Sequence, residues 1–184
     1  MNRAGIPVDI MVPDDLAGEG GRRGARIPPH RKRAARRARG LEAAVVDRSR
    51  MTVRALDPRD DRSVEAYVAG PAALLVAKLH KIAERVDSPH RLNDKDAHDI
   101  YRILRAVDTD DLRAGLGELM GDPLSRDVTR EAVTYAGTLF AESPEALGST
   151  MAGRAEEGIG DSAFVAASAS ILAADLIGSL GLSD

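Results

Sequence analysis

Lys78, Lys81 and Arg85 recur at three- and four-residue spacing, and Asp96 and Asp99 stand three apart shortly after them. On helices, each set shares one side. A row of cations addresses phosphate, and a carboxylate pair held in fixed relation to it completes half of a phosphate-handling site. Lysine is the rarer cation here, with four Lys against 22 Arg, and Lys78, Lys81 and Lys95 all fall within this stretch. A lysine ammonium is a compact point charge that approaches a phosphate from one direction, whereas arginine prefers a two-pronged grip.

Two helices must position these groups. Pro71 suits the first turn of a helix spanning about 71–86. Leu75, Leu79, Ile82 and Val86 form its apolar stripe, and the cations run beside that stripe with their methylenes bordering the core. A second helix is expected over 94–107, with Asp94 as N-cap and Ala97, Ile100, Leu104 and Val107 facing inward. Asp96 and Asp99 lie in its first turns, where the helix dipole favours anions. That preference holds without any function, as does a lysine row beside an apolar stripe.

Composition narrows the classes. At 184 residues the chain makes one domain, or one with a small addition. With two Phe, three Tyr and no Trp, the core must be built from Ala, Val, Leu and Ile. The absence of cysteine excludes disulfides and thiolate metal sites. No signal peptide is evident and no apolar run approaches a membrane span, since Ala163 to Leu182 is interrupted by Asp175. A cytoplasmic protein without a membrane partner is expected. The net charge of −3 selects no partner, but residues 22–39 hold nine Arg or Lys and no acid. Clustered arginine supplies salt-sensitive phosphate affinity, so Arg33, Arg36 and Arg37 are candidate RNA contacts, without interleaved aromatics for base stacking.

Elsewhere, Ile6 to Val12 reads as a buried strand ended by Pro13. An irregular, Arg-rich loop is expected over 14–40. Leu41–Val46 and Met51–Leu56 read as a strand pair around the turn DRSR, with Val64–Val68 as a further strand. Further helices are expected at 110–120, 127–142, 144–157 and 161–180. The layout is α+β, with a small sheet region in 1–69 and a helical part in 70–184. The His98-Asp99 dipeptide does not make a metal phosphohydrolase site, because neighbours on a helix point in different directions.

The run LLVAKLHKI, followed by a polar link and DKDAHDIYRIL, resembles the later part of the AbiEii-type nucleotidyltransferases, toxins of bacterial toxin–antitoxin and abortive-infection pairs. Lys78 matches that family's helix lysine, and Lys95-Asp96-Ala97-His98-Asp99-Ile100 matches its (R/K)-D-x-x-D-(L/I) motif. IPVDIMVP resembles its third carboxylate strand, with Asp9 as the acid; the resemblance covers roughly residues 6–107. It implies a partial nucleotidyltransferase-like mixed sheet over 6–68 and transfer of a nucleotidyl group from an NTP to an acceptor such as tRNA. A cognate antitoxin is the implied protein partner. Asp9 would hold Mg²⁺ or activate the acceptor hydroxyl. Lys78 would bind phosphate, with Lys81 and Arg85 as further phosphate contacts. Asp96 or Asp99 would orient Lys78 or assist the acceptor. The family's Gly-Gly or Gly-Ser turn and D-x-D strand precede the third carboxylate, yet only eight residues precede Asp9 here. Gly20-Gly21 leads into Arg-rich sequence, and Asp14-Asp15 are adjacent rather than alternate. The expectation is an N-terminally incomplete, impaired enzyme needing Mg²⁺ and the missing half; the alternative is a non-catalytic RNA- or antitoxin-binding remnant.

Overall fold

The computed structural model describes residues 9–18, 24–25, 28–30 and 35–181. It is an α+β fold whose helical part fills the C-terminal two-thirds. Strand β1 (Met11–Pro13) runs parallel to β2 (Arg36–Ala38), pairing Met11 with Arg36 and Pro13 with Ala38. A short helical turn, α1 (Ala43–Val46), leads into β3 (Arg48–Arg54), which pairs antiparallel with β4 (Ser63–Ala69). Then follow α2 (Pro71–Ala83), α3 (Asp94–Ala106), α4 (Thr109–Gly121), α5 (Arg126–Ala136), α6 (Leu147–Arg154) and α7 (Ser162–Ser179). A π-helical turn over Gly137–Ala141 extends α5.

Three expectations about the strands need correction. Among the described residues the strands form two separate two-stranded sheets, not one mixed sheet. Leu41–Val46 is not a strand. Ala43 is fully buried and its turn packs on α2, so burial in a helical turn overrode the β-branched Val45-Val46 pair. The strand instead begins at Arg48, because its alternation of charged and apolar residues fits a ribbon open to solvent on both sides. The Arg-rich loop is likewise not wholly irregular, since it contains β2 and a small apolar cluster of Ala17, Ala25 and Ala35 against Val12.

One core joins α1 to α7. Leu75, Leu79 and Ile82 of α2 are buried as their spacing requires, as are Ala97, Ile100 and Leu104 of α3. Each large aliphatic side chain removed from water contributes about 1.5–3 kcal/mol. Val86 is 39% exposed because α2 stops at Ala83, one turn short of the apolar pattern. Phe140, with no accessible surface, lies under Gly148, where an added Cβ would stand 2.4 Å from its ring. In α7, Val165, Ala169, Ala173 and Leu176 face the core, while Phe164 and Ile171 face outward. Contrary to the sequence expectation, α7 is long and apolar enough to cross a membrane by length and composition. Here its inward stripe packs on α6, α3 and α4.

The strand region is tied to the helical body at two neighbouring points, Arg39 and Gly40, braced between them by the buried Glu42. The Arg39 guanidinium donates to both Glu131 oxygens at 2.8 and 2.6 Å. The Glu42 carboxylate, fully buried, accepts from the Gly40 N–H at 2.7 Å and the Asp15 N–H at 3.1 Å. Gly40 has φ +90°, and a Cβ there would stand 2.7 Å from His80 Cδ2. The buried His80 donates from Nε2 to the Val128 carbonyl at 2.7 Å and meets Tyr135 edge-on. A third tie caps α2. Gly70, its N-cap, has no side chain to offer, and the Asp47 carboxylate accepts the Ala73 N–H at 2.9 Å instead.

Gly40→Ala combines left-handed strain with a clash and is expected to destabilise the fold by about 2 kcal/mol. Asp47→Ala, which uncaps α2, is expected to cost about 1 kcal/mol. Urea unfolding midpoints measure both, and a midpoint for Gly40→Ala equal to wild type would contradict the close approach to His80.

Candidate phosphate site between α2 and α3

Asp96 is the centre of the cluster. It sits in the first turn of α3 yet is only 4% exposed, so its charge needs compensation within the protein. The true N-cap is Asn93, whose side chain accepts the Lys95 N–H at 3.1 Å. This corrects the assignment of Asp94, which is the first helical residue and binds the Arg154 guanidinium at 2.7 and 3.1 Å. The one-residue shift follows from Asn93 holding the extended backbone that an N-cap requires.

The two helices bring five of the expected site residues together. Lys78 Nζ donates to Asp96 Oδ1 at 2.9 Å and to Asp99 Oδ2 at 2.7 Å. Lys81 Nζ donates to the same Asp96 oxygen at 2.7 Å. Arg85, just beyond the end of α2, places Nη1 3.8 Å from Asp96 Oδ2 and 3.2 Å from the Arg91 carbonyl it donates to. Lys95, one turn before Asp99 on α3, donates to it at 3.0 Å. That i,i+4 spacing sets the lysine and the acid on one side of the helix.

The resemblance left open which aspartate orients Lys78; in the structure both do. They differ in setting. The Asp96 side chain is 6% exposed and receives only cations of the α2 row, whereas that of Asp99 is 21% exposed and shared with Lys95. Burial opposes ionisation of both aspartates, but hydrogen bonds from the lysines outweigh it and hold both carboxyls below their ordinary range. Burial also opposes the Lys78 ammonium, and the hydrogen bonds to Asp99 and Asp96 outweigh it, raising its pKa.

Charge and donor capacity remain over. Lys78, Lys81, Arg85 and Lys95 carry four positive charges against two carboxylates. Lys78 commits two of its three N–H donors to the aspartates, and Lys81 and Lys95 commit one each. The buried Nε of Arg85 has no hydrogen-bond partner. The cluster is thus an ordered cationic patch with free donors.

The remaining expected residues lie elsewhere in the contact pattern. Asp9 is exposed and paired with Arg36, Oδ2 to Nη2 at 2.6 Å. Nothing links it to Lys78 among the contacts of the described residues. Arg37 donates to the Asp14 carbonyl at 3.0 Å and forms an ion pair with its carboxylate at 2.7 Å. Arg33 lies outside the described residues. His98 meets Glu156 Oε1 at 2.7 Å while Asp99 turns to Lys78, so the two members of the HD dipeptide do diverge. The Arg154–Asp94 and His98–Glu156 links, which tie α3 to the end of α6, were missed; their partners stand about sixty residues apart and carry no local pattern.

Mg²⁺ does not fit these side chains as arranged. Asp96 and Asp99 present their oxygens to ammonium groups, Asp9 faces a guanidinium, and no group of three or more carboxylates and histidines converges among the described residues.

Depressed aspartate pKa values stabilise the fold above the unfolded value of 3.8, and that contribution is lost as pH falls through the lower folded values. The raised Lys78 value acts oppositely: its contribution is complete below 10.5 and is lost as pH rises through the folded value. The cluster's contribution is therefore level between those limits and falls at both ends. Asp96→Asn is expected to cost about 2 kcal/mol at neutral pH and to flatten the acid limb of thermal stability against pH. An unchanged acid limb would show that Asp96 is not held ionised by the lysines. No family model matches the chain, and no curated protein or solved structure matches it either.

Proposed function

We propose that the chain is a nucleotidyltransferase-like protein of the AbiEii type whose α2–α3 cluster addresses the phosphates of an NTP or of a tRNA end. The observation that carries this reading is Lys78, held by both aspartates of the D-x-x-D pair with one N–H donor left over. In nucleotidyl transfer an acceptor hydroxyl attacks the α-phosphorus and pyrophosphate leaves. The contribution of this chain's residues is charge neutralisation and placement. Lys78 and Lys81 supply spare donors, Arg85 and Lys95 add positive potential, and Asp96 fixes the row against the helix core. Such a protein would work in the cytoplasm, where tRNA and NTPs are found.

A second reading is favoured by the occupied carboxylates. With Asp9, Asp96 and Asp99 all facing cations, the cluster binds phosphate without aligning a metal-bound triphosphate. The chain would then bind tRNA, or an antitoxin, without transferring a nucleotide.

Two measurements separate these outcomes. Calorimetric titration with each NTP in the presence of a chelator tests the anion site. Lys78→Ala is expected to weaken binding about ten-fold or more, as for a missing hydrogen bond to a charged group. Absence of NTP binding by the wild-type chain rejects the site. Incubation with Mg²⁺, labelled NTPs and total tRNA tests transfer. No label transfer by this chain alone is expected, and robust transfer rules out the non-catalytic reading.

A further inference from the structure

The β3–β4 ribbon is amphipathic, and its two faces differ in kind. The register places Met51 opposite Ala66 and Val53 opposite Val64, with Val68 on the same face. The other face carries Arg48, Arg50 and Arg54 on one strand and Tyr67 and Glu65 on the other. Every residue of β3 is exposed. On the arginine face, Tyr67 is 65% exposed and the Arg48 guanidinium stands 4.5 Å from its ring centroid. Arg50 reaches Glu65 only at 3.4 Å, and Glu65 is also bound by the Thr52 hydroxyl. The Arg54 side chain has no ion-pair or hydrogen-bond partner among the described residues. One acid therefore faces three guanidinium groups. By contrast, Arg36, Arg37 and Arg39 of the Arg-rich stretch each engage an acid.

We propose that the Arg48–Arg50–Arg54 face of the β3–β4 ribbon is a contact surface for a single-stranded polynucleotide. Charge complementarity selects a polyanion. Arg48 and Arg50 repeat about 6.8 Å apart along an extended strand, so the guanidinium groups meet a linear array of charges in sequence rather than one compact anion. The guanidinium fork matches the paired oxygens of phosphate and carboxylate alike, so what separates a polynucleotide from an acidic peptide here is the aromatic ring. Tyr67 adds what an acidic peptide does not need: an exposed ring with the Arg48 guanidinium over it, a cation–aromatic pair on which a base stacks. The ribbon needs no pocket for this, because every base offers a π-face and recognition follows the backbone. This inference does not rest on the α2–α3 cluster.

The test is fluorescence anisotropy of the full chain with a labelled oligo-uridine and its deoxy counterpart across a salt series. On a single strand, every arginine–phosphate pairing adds about 0.7 to the slope of log affinity against log salt. Joint Arg48→Glu, Arg50→Glu and Arg54→Glu changes are expected to lower that slope by about 2. The corresponding Arg→Lys changes are expected to keep the slope, which separates charge from folding. Tyr67→Ala is expected to weaken binding about ten-fold at unchanged slope, as for the removal of one stacked base. Binding of either polymer with these responses supports the proposal. It is overturned if the wild-type chain binds neither polymer or if the triple charge reversal leaves affinity unchanged. Equally tight capture of dextran sulfate, insensitive to Tyr67→Ala, also overturns it. So does loss of binding on reversing Arg33, Arg36 and Arg37 with none on reversing the ribbon.

Discussion

A carboxylate taken out of water must be met by positive charge or by hydrogen-bond donors, and Asp96, met by lysines, is the one on which the α2–α3 pair depends. Its neighbours on α2 are lysines whose ammonium groups reach its oxygens. Removing one charge of such a pair leaves the other uncompensated, so α2 and α3 are held in one relative position by electrostatics as well as by packing. The order of Lys78 follows from that constraint. A lysine on an open helix surface samples many rotamers, whereas one bound to two aspartates is already placed when an anion arrives.

The helical half was legible because its signals are local. Apolar residues three and four apart marked α2 and α3, and Pro71 marked a helix start. The cation row and the aspartate pair were readable as faces of those helices, and their meeting followed from two amphipathic helices sharing a core. What stayed hidden depends on partners distant in sequence. Glu42 and Asp47 look like ordinary acids of a polar turn, yet one is fully buried under main-chain amides and the other caps a helix 26 residues away. The helical turn at Ala43–Val46 was misread for the same reason, since only contact with α2 distinguishes a buried helical turn from a short strand. That misreading shifted the ribbon's start and concealed the alternation of Arg48, Arg50 and Arg54.

The strand region contrasts with the helical body in how its apolar groups are used. In the body, most large side chains are inside, with Phe164 and Ile171 of α7 among the exceptions. On the ribbon, Met51, Val53, Val64 and Tyr67 are all at least 47% exposed, and beside β1 Ile10 is 57% exposed. A two-stranded ribbon without a covered face has little burial to hold it, so its order rests on main-chain pairing and cross-strand contacts such as Arg48 over Tyr67.

Glu42 shows a different division of labour. Both of its hydrogen-bond donors are main-chain amides, one at Gly40 and one at Asp15. Amides are supplied by every residue except proline, so the side chain at position 15 is free to drift without breaking the contact. In the contact with position 15 the restriction falls on Glu42, whereas Gly40 is fixed separately by its positive φ and its approach to His80. The chain thereby fastens a distant loop to its core through one carboxylate at a single position, a contact to which Asp15 contributes only its main chain.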